Sequence, residues 1–227
     1  VLRNLLIPFA IPATVFLVLY LALEENLFWS LAFWSVVYLV PPFGKESAIP
    51  LAIAGEEGAL PFLSIELPGE FVSVPPEFMV ATVTLIDTCC ALFIILNFEY
   101  SKRIPLLGKY ICKIESGGDR IFTEKPWLET LATTGIVLFV MFPFQGSGGI
   151  TASIIGRAIG MNKSKLLAAI AAGALIGAFL IAFSMSAIIS LFRVSWQLGL
   201  LGIGLLVAAV GGAALLYHNV TYIAKEN

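Results

Sequence analysis

The chain has 227 residues, of which 59% are hydrophobic and only 12% charged, with a formal net charge of -2 and a mean hydropathy of +0.97. Soluble globular domains carry about 25% charged residues, so this composition excludes that class and leaves room for one membrane domain, residues 1–227, without a separate soluble one. No basic cluster points to nucleic acid. No His, Cys and carboxylate grouping has metal-ligand spacing, so neither a metal nor a cofactor is expected.

The first apolar run, residues 5–23, is long enough at about 1.5 Å per residue to cross a hydrocarbon core of roughly 30 Å. Pro8 and Pro12 are expected in its first turns, where proline costs least. The run is too long for a signal-peptide core and is read as a retained span. The next run, residues 27–40, is too short to cross and ends at Pro41 and Pro42, after which a second short helix carrying Pro50 is expected up to Gly55.

The following loop, between Glu56 and Glu77, contains acids and prolines but no Lys or Arg. A second full-length run covers residues 78–98, and the stretch 99–127 carries Lys102, Arg103, Lys109, Lys113, Arg120 and Lys125. By the positive-inside rule this basic stretch is cytoplasmic and the acidic loop external. Within it Ile104, Leu107, Ile111 and Ile114 recur at helical spacing, as in an interfacial amphipathic helix. The first span, starting inside at Arg3, ends outside at Glu24, so residues 27–55 must enter and leave from outside. A re-entrant hairpin satisfies this; a crossing helix does not.

The pattern then repeats. Residues 41–55, PPFGKESAIPLAIAG, align at constant offset with 143–156, PFQGSGGITASIIG, pairing Pro42 with Pro143, Phe43 with Phe144, Ile49 with Ile150, Ile53 with Ile154 and Gly55 with Gly156. The second copy lies in residues 128–161, leaves the basic loop and returns to Lys163 and Lys165, so it is a hairpin from the inside. Spans at 166–190 and 198–218 complete the chain, with both termini cytoplasmic. The expected fold is an all-α polytopic membrane protein of about four transmembrane helices, an inverted repeat with two oppositely oriented re-entrant hairpins. Breaks of this kind at corresponding places in two halves point to a transporter's binding site.

Ionisable residues at membrane depth mark function by default. Lys45 and Glu46 stand at the first break, and Asp87 near the middle of the span 78–98, with Lys45 and Arg157 as candidate partners. At the second break, Gln145, Gly146, Ser147, Gly148 and Gly149 are suited to turning N–H groups and the positive end of a half-helix toward an anionic ligand. Gly156 with Gly160, and Gly173 with Gly177, have the spacing of helix-packing faces. Cys89, Cys90 and Cys112 read as buried or cytosolic thiols. Ser147 and His218 fall at different depths, which argues against a serine protease and for a protein that is not an enzyme.

The motifs Pro42, Ala48-Ile49-Pro50, Gly55 and Pro143, Gly146-Ser147-Gly148 resemble those of the small multidrug export proteins, and the paired hairpins are similar to DedA-type membrane proteins. The resemblance covers residues 27–190, with Gln145 where a second proline is usual. The first family implies export of small molecules; the second implies translocation of lipid carriers such as polyprenyl phosphates coupled to protons. The expected function is a proton- or ion-coupled secondary exporter in the plasma membrane. Its substrate, a small molecule or a lipid phosphate, would lie between the hairpin tips. A flippase of anionic lipid and a membrane scaffold are the alternatives. Expected partners are membrane lipids, protons or cations, with a homodimer left open.

Overall fold

The computed structural model describes residues 2–40, 44–54, 72–101, 126–143, 147–208 and 211–212. Pro41, Pro42, Gly55, Cys112, Gln145, Gly146, His218 and the amphipathic stretch 104–114 lie outside them. The described residues form helices and no strands: α1 (Leu2–Ala22), α2 (Glu25–Leu39), α3 (Lys45–Ala54), α4 (Pro76–Ser101), α5 (Pro126–Met141), α6 (Gly149–Ala158), α7 (Lys163–Val194) and α8 (Trp196–Ala208). Among them α1, α4 and α7 are long and apolar enough to cross a membrane. The expected last span is described only in its first part, as the 13-residue α8.

α1 buries little of itself and leaves Phe9, Leu17, Val18 and Leu21 exposed, a surface suited to lipid. Its prolines lie inside the helix, not in the first turns. Pro8 lacks the N–H that would reach the Asn4 carbonyl, and that carbonyl instead accepts from Asn97 Nδ2 of α4 at 3.2 Å. The cost of the proline is thereby offset from a neighbouring helix.

Hydrogen bonds at the end of α3 set the direction of α2 and α3. Ser30, early in α2, accepts from the Val72 amide at 2.9 Å, while the Val74 amide donates to Ala52, late in α3, at 2.9 Å. The start of α2 and the end of α3 therefore share one end of the molecule, and the two helices run antiparallel. α4 begins there as well. Pro76 takes the first helical position, where a missing N–H costs nothing, so the helix starts two residues before the expected 78.

α5 and α6 repeat the arrangement at the other end of α4. Glu129 in the first turn of α5 meets Lys165 in the first turn of α7 at 2.5 Å. A Cβ on Gly173 would press on Val137, and one on Gly177 on the Met141 carbonyl. The three contacts share one sequence offset, so α5 and α7 run parallel in close approach, as the Gly173/Gly177 spacing predicts. The other glycine pair has a mixed role. Gly160 lies beyond the end of α6 at φ 83, with its amide on Arg157 O at 3.2 Å and the Met161 amide on Gly156 O at 2.9 Å. This is a Schellman cap, which needs glycine at Gly160 for its left-handed backbone, while Gly156 does pack closely, since a Cβ there would collide with Leu166 of α7. Asn162 then caps α7, accepting from Ser164 and Lys165 amides at 3.0 and 3.4 Å.

Two apolar cores result. One joins α2, α3, the first half of α4 and the later half of α7, around Leu31, Ile49, Met79 and Ala182. The other joins the second half of α4, α5, α6 and the first half of α7, around Ile95, Val140, Ala152 and Ile170. α4 and α7 are thus antiparallel, and each helix pair packs against opposite halves of both. The pairs match in length, with 15 and 10 residues in α2 and α3 against 16 and 10 in α5 and α6.

Candidate functional site at the helix breaks

Helix ends that flank the two breaks meet beside Asp87. Its position two-fifths of the way along α4 brings the carboxyl to the level where α2 ends and α6 begins, and it is 97% buried, with 3% of its surface exposed. Oδ1 accepts from the Tyr38 hydroxyl at 2.7 Å and from the Gly149 amide at 2.9 Å. Gly149 is the first residue of α6, so the carboxyl is seated on the positive end of that helix. Such an approach requires glycine: a Cβ at Gly149 would collide with the Asp87 backbone carbonyl.

The opposite side of the same break is held by Lys45. Its ammonium is buried and donates to the Val140 carbonyl in the last turn of α5, where a cation complements the negative helix end. The second break is therefore gripped at both helix ends by charges from outside the pair, Lys45 of α3 and Asp87 of α4. Ser147 closes the loop internally, its hydroxyl donating to Phe142 O at 2.7 Å.

Glu46 follows Lys45 in the first turn of α3, with its carboxylate folded back over Gly44. Pro50 has no N–H to donate to the Glu46 carbonyl, so the usual helical bond there is missing. Among the described residues, Glu46 Oε2 and Asp87 Oδ2 are buried without a hydrogen-bond partner. Buried acceptors in that state are costly, and each calls for an occupant or an alternative arrangement.

Two sequence expectations are corrected. Arg157 is not a partner of Asp87: it lies at the far end of α4, with Nη2 3.6 Å from Glu99, Nη1 donating to Met161 O at 3.1 Å and its guanidinium 5.3 Å from the Phe98 ring centre. Glu99 is twelve residues beyond Asp87, about 18 Å along the helix. The seat for an anionic ligand at the start of α6 is also taken, since Asp87 occupies it.

Of the predicted residues, the structure gathers Lys45, Glu46, Asp87, Ser147 and Gly148 and leaves Arg157 apart. Pro143 is exposed beside the break. Gly149, expected at the second break, completes the site as an amide donor to Asp87, and Tyr38, which was not expected there, as a second donor. A phenol in a short apolar run one turn before a double proline was the available signal for Tyr38.

An apolar groove lies alongside, a cavity of about 470 Å³ between α1, α2 and α4. Residues 46–180 match the family described as Putative small multi-drug export protein, well over half of the chain. The chain belongs to that family. No curated protein and no solved structure matches it. The family region contains Glu46, Asp87, Ser147 to Gly149 and Arg157, while α1, α2, Tyr38 and Lys45 precede it. It is thus shorter at its start than the sequence resemblance implies.

Proposed function

We propose that this member of the small multi-drug export family is a secondary transporter that exchanges protons for a small cationic substrate at the meeting point of two re-entrant hairpins. In this reading α2–α3 dips in from outside and α5–α6 from the cytoplasm, as an inverted repeat in the plasma membrane with both termini inside. The observation that carries it is an asymmetry of valence. At the breaks the buried cation Lys45 is engaged by the Val140 carbonyl, whereas Glu46 and Asp87 each keep one buried oxygen open. Open acceptors call for a proton or a cation.

Asp87 is the coupling group. It is faced by Tyr38 of α2, Lys45 and Glu46 of α3, Cys90 of its own helix and the amide end of α6. Ionised, it holds α6 by a charge-assisted hydrogen bond and by the helix dipole. Protonated, it loses the charge term, and the balance between outward-open and inward-open states shifts. A cation bound to the open oxygens competes with the proton for the same charge, which is the requirement for exchange.

A translocase of polyprenyl phosphate is the second reading, favoured by the groove beside the site. It needs a cation for the phosphate at the breaks, and the engagement of Lys45 by Val140 O together with the position of Arg157 at the far end of α4 weighs against it. The separating experiment uses proteoliposomes with an acidic interior and a trapped pH dye, to which organic cations and short-chain polyprenyl phosphates are added separately. Collapse of the gradient by a cation in wild type, but not in Asp87→Asn or Glu46→Gln, is the expected result. A response to the lipid phosphate alone would replace the exporter by the translocase.

A further inference from the structure

We infer that the groove between α1, α2 and α4 is the binding site for the apolar body of a lipophilic cation, reached sideways from the bilayer. This rests on the exporter reading and adds where the substrate sits and what it must look like. The cavity of about 470 Å³ falls within the roughly 300–1,000 Å³ of small-molecule sites. Its lining is apolar or aromatic apart from Ser35, whose hydroxyl is used on the Leu31 carbonyl at 2.6 Å, and the two thiols. The groove offers no polar group to a headgroup, so a sugar or a phosphate has no partner in it.

Charge and continuity select the occupant. Leu39, Ile86 and Ile150 line the groove, and each is the chain neighbour of one member of the Tyr38–Asp87–Gly149 cluster. A molecule filling the groove thus bears on the three elements that the Asp87 carboxyl ties together. Asp87, the chain neighbour of the lining residue Ile86, is an acid with an open buried oxygen. Phe9, Phe16 and Phe93 are among the lining residues, with Phe9 and Phe93 packed edge to face, and aromatic rings attract a cation stripped of water. Pro8 and Pro12 of α1 also line the groove.

The test uses the full chain in proteoliposomes and an aryl-azide derivative of tetraphenylphosphonium as the probe. Photolabelled peptides are mapped with and without excess tetraphenylphosphonium, alongside an uncharged aryl azide of the same size. Labelling in α1, α2 and α4 around Phe9, Val36 and Phe93, suppressed at least fivefold by the competitor and absent for the uncharged azide, is expected. In Ala32→Trp, which fills the groove away from the Asp87 cluster, the cation's apparent affinity should fall at least tenfold. The wild-type map carries the test if that variant does not fold.

Labelling confined to α5, α6 or α7 while proton-coupled cation transport persists would overturn the groove and leave the exporter standing. Equal labelling by the uncharged azide would overturn the choice of a cation. A co-purified phospholipid that the phosphonium ion cannot displace would make the groove a lipid seat. Absence of both labelling and transport would overturn the groove and the exporter together.

Discussion

The Gly149 amide donates to Asp87 Oδ1 at 2.9 Å, so the first residue of one short helix is held by a carboxyl from the middle of another. Tyr38 reaches the same oxygen at 2.7 Å, and Lys45 holds the facing helix end at Val140. Three segments distant in sequence are thereby joined through one side chain. Asp87→Asn keeps an acceptor of the same shape but removes the charge. Proton-driven export should fall more than tenfold, with substrate counterflow retained and stability reduced by about 1–3 kcal/mol, measured by thermal unfolding in detergent.

Gly149 and Gly135 make a matched pair. A Cβ at Gly149 meets the Asp87 backbone carbonyl, which cannot move without displacing α4, whereas nothing lies within 4 Å of one at Gly135. Gly149→Ala should destabilise the protein by about 1–3 kcal/mol, as overpacking does. Gly135→Ala, in the exposed interior of α5, should stabilise it by up to about 1 kcal/mol through helix propensity. Equal melting temperatures in the two variants would contradict the close approach at the break.

Lys45→Met leaves Glu46 and Asp87 without their nearest cation and Val140 without its donor. Removal of one buried charge strands the others, and such losses run to about 3–5 kcal/mol. The variant should give little monodisperse protein on size-exclusion chromatography. Adding Glu46→Gln removes one stranded charge and should recover part of it. Unchanged yield in Lys45→Met would mean that the carboxyls are neutral or otherwise paired.

At the far end, Glu99 is largely exposed, and a pair of this kind contributes about 0–1 kcal/mol. Glu99→Gln should therefore leave both melting temperature and export within error of wild type. Arg157→Ala should cost more, because the guanidinium also binds Met161 O and covers the Phe98 ring. A large export defect in Glu99→Gln would draw this end of α4 into the transport site.

The proposed inverted repeat implies opposite faces for the segments before and after α4. Cysteine placed at Glu57 should react with an impermeant maleimide from outside intact cells, and cysteine at Lys109 only after permeabilisation. Labelling of both from one face would remove the two-sided hairpin arrangement.

The linear order of residues by itself decided the class of this protein and much of its plan. Uninterrupted apolar runs declare spans because the bilayer demands about 20 apolar residues, and prolines and glycines at corresponding places declare breaks because backbone bonding fails there. Lys45, Glu46 and Asp87 were legible for a similar reason: charge is rare in apolar segments, so it is conspicuous wherever it serves. Their pairing was not legible. Arg157 and Lys45 are both plausible partners for Asp87 in one dimension, and only the antiparallel packing of α4 on α7 sends Arg157 to the far end and brings Lys45 to the break. Tyr38 escaped because an aromatic in an apolar helix is commonplace until a carboxyl is found against it, and Gly149 was legible as an amide for an anion but not as the partner of Asp87. Nor could sequence reveal that the helix end suited to an anion was already filled, since that depends on α4 and α6 approaching closely enough for Asp87 to displace water from it.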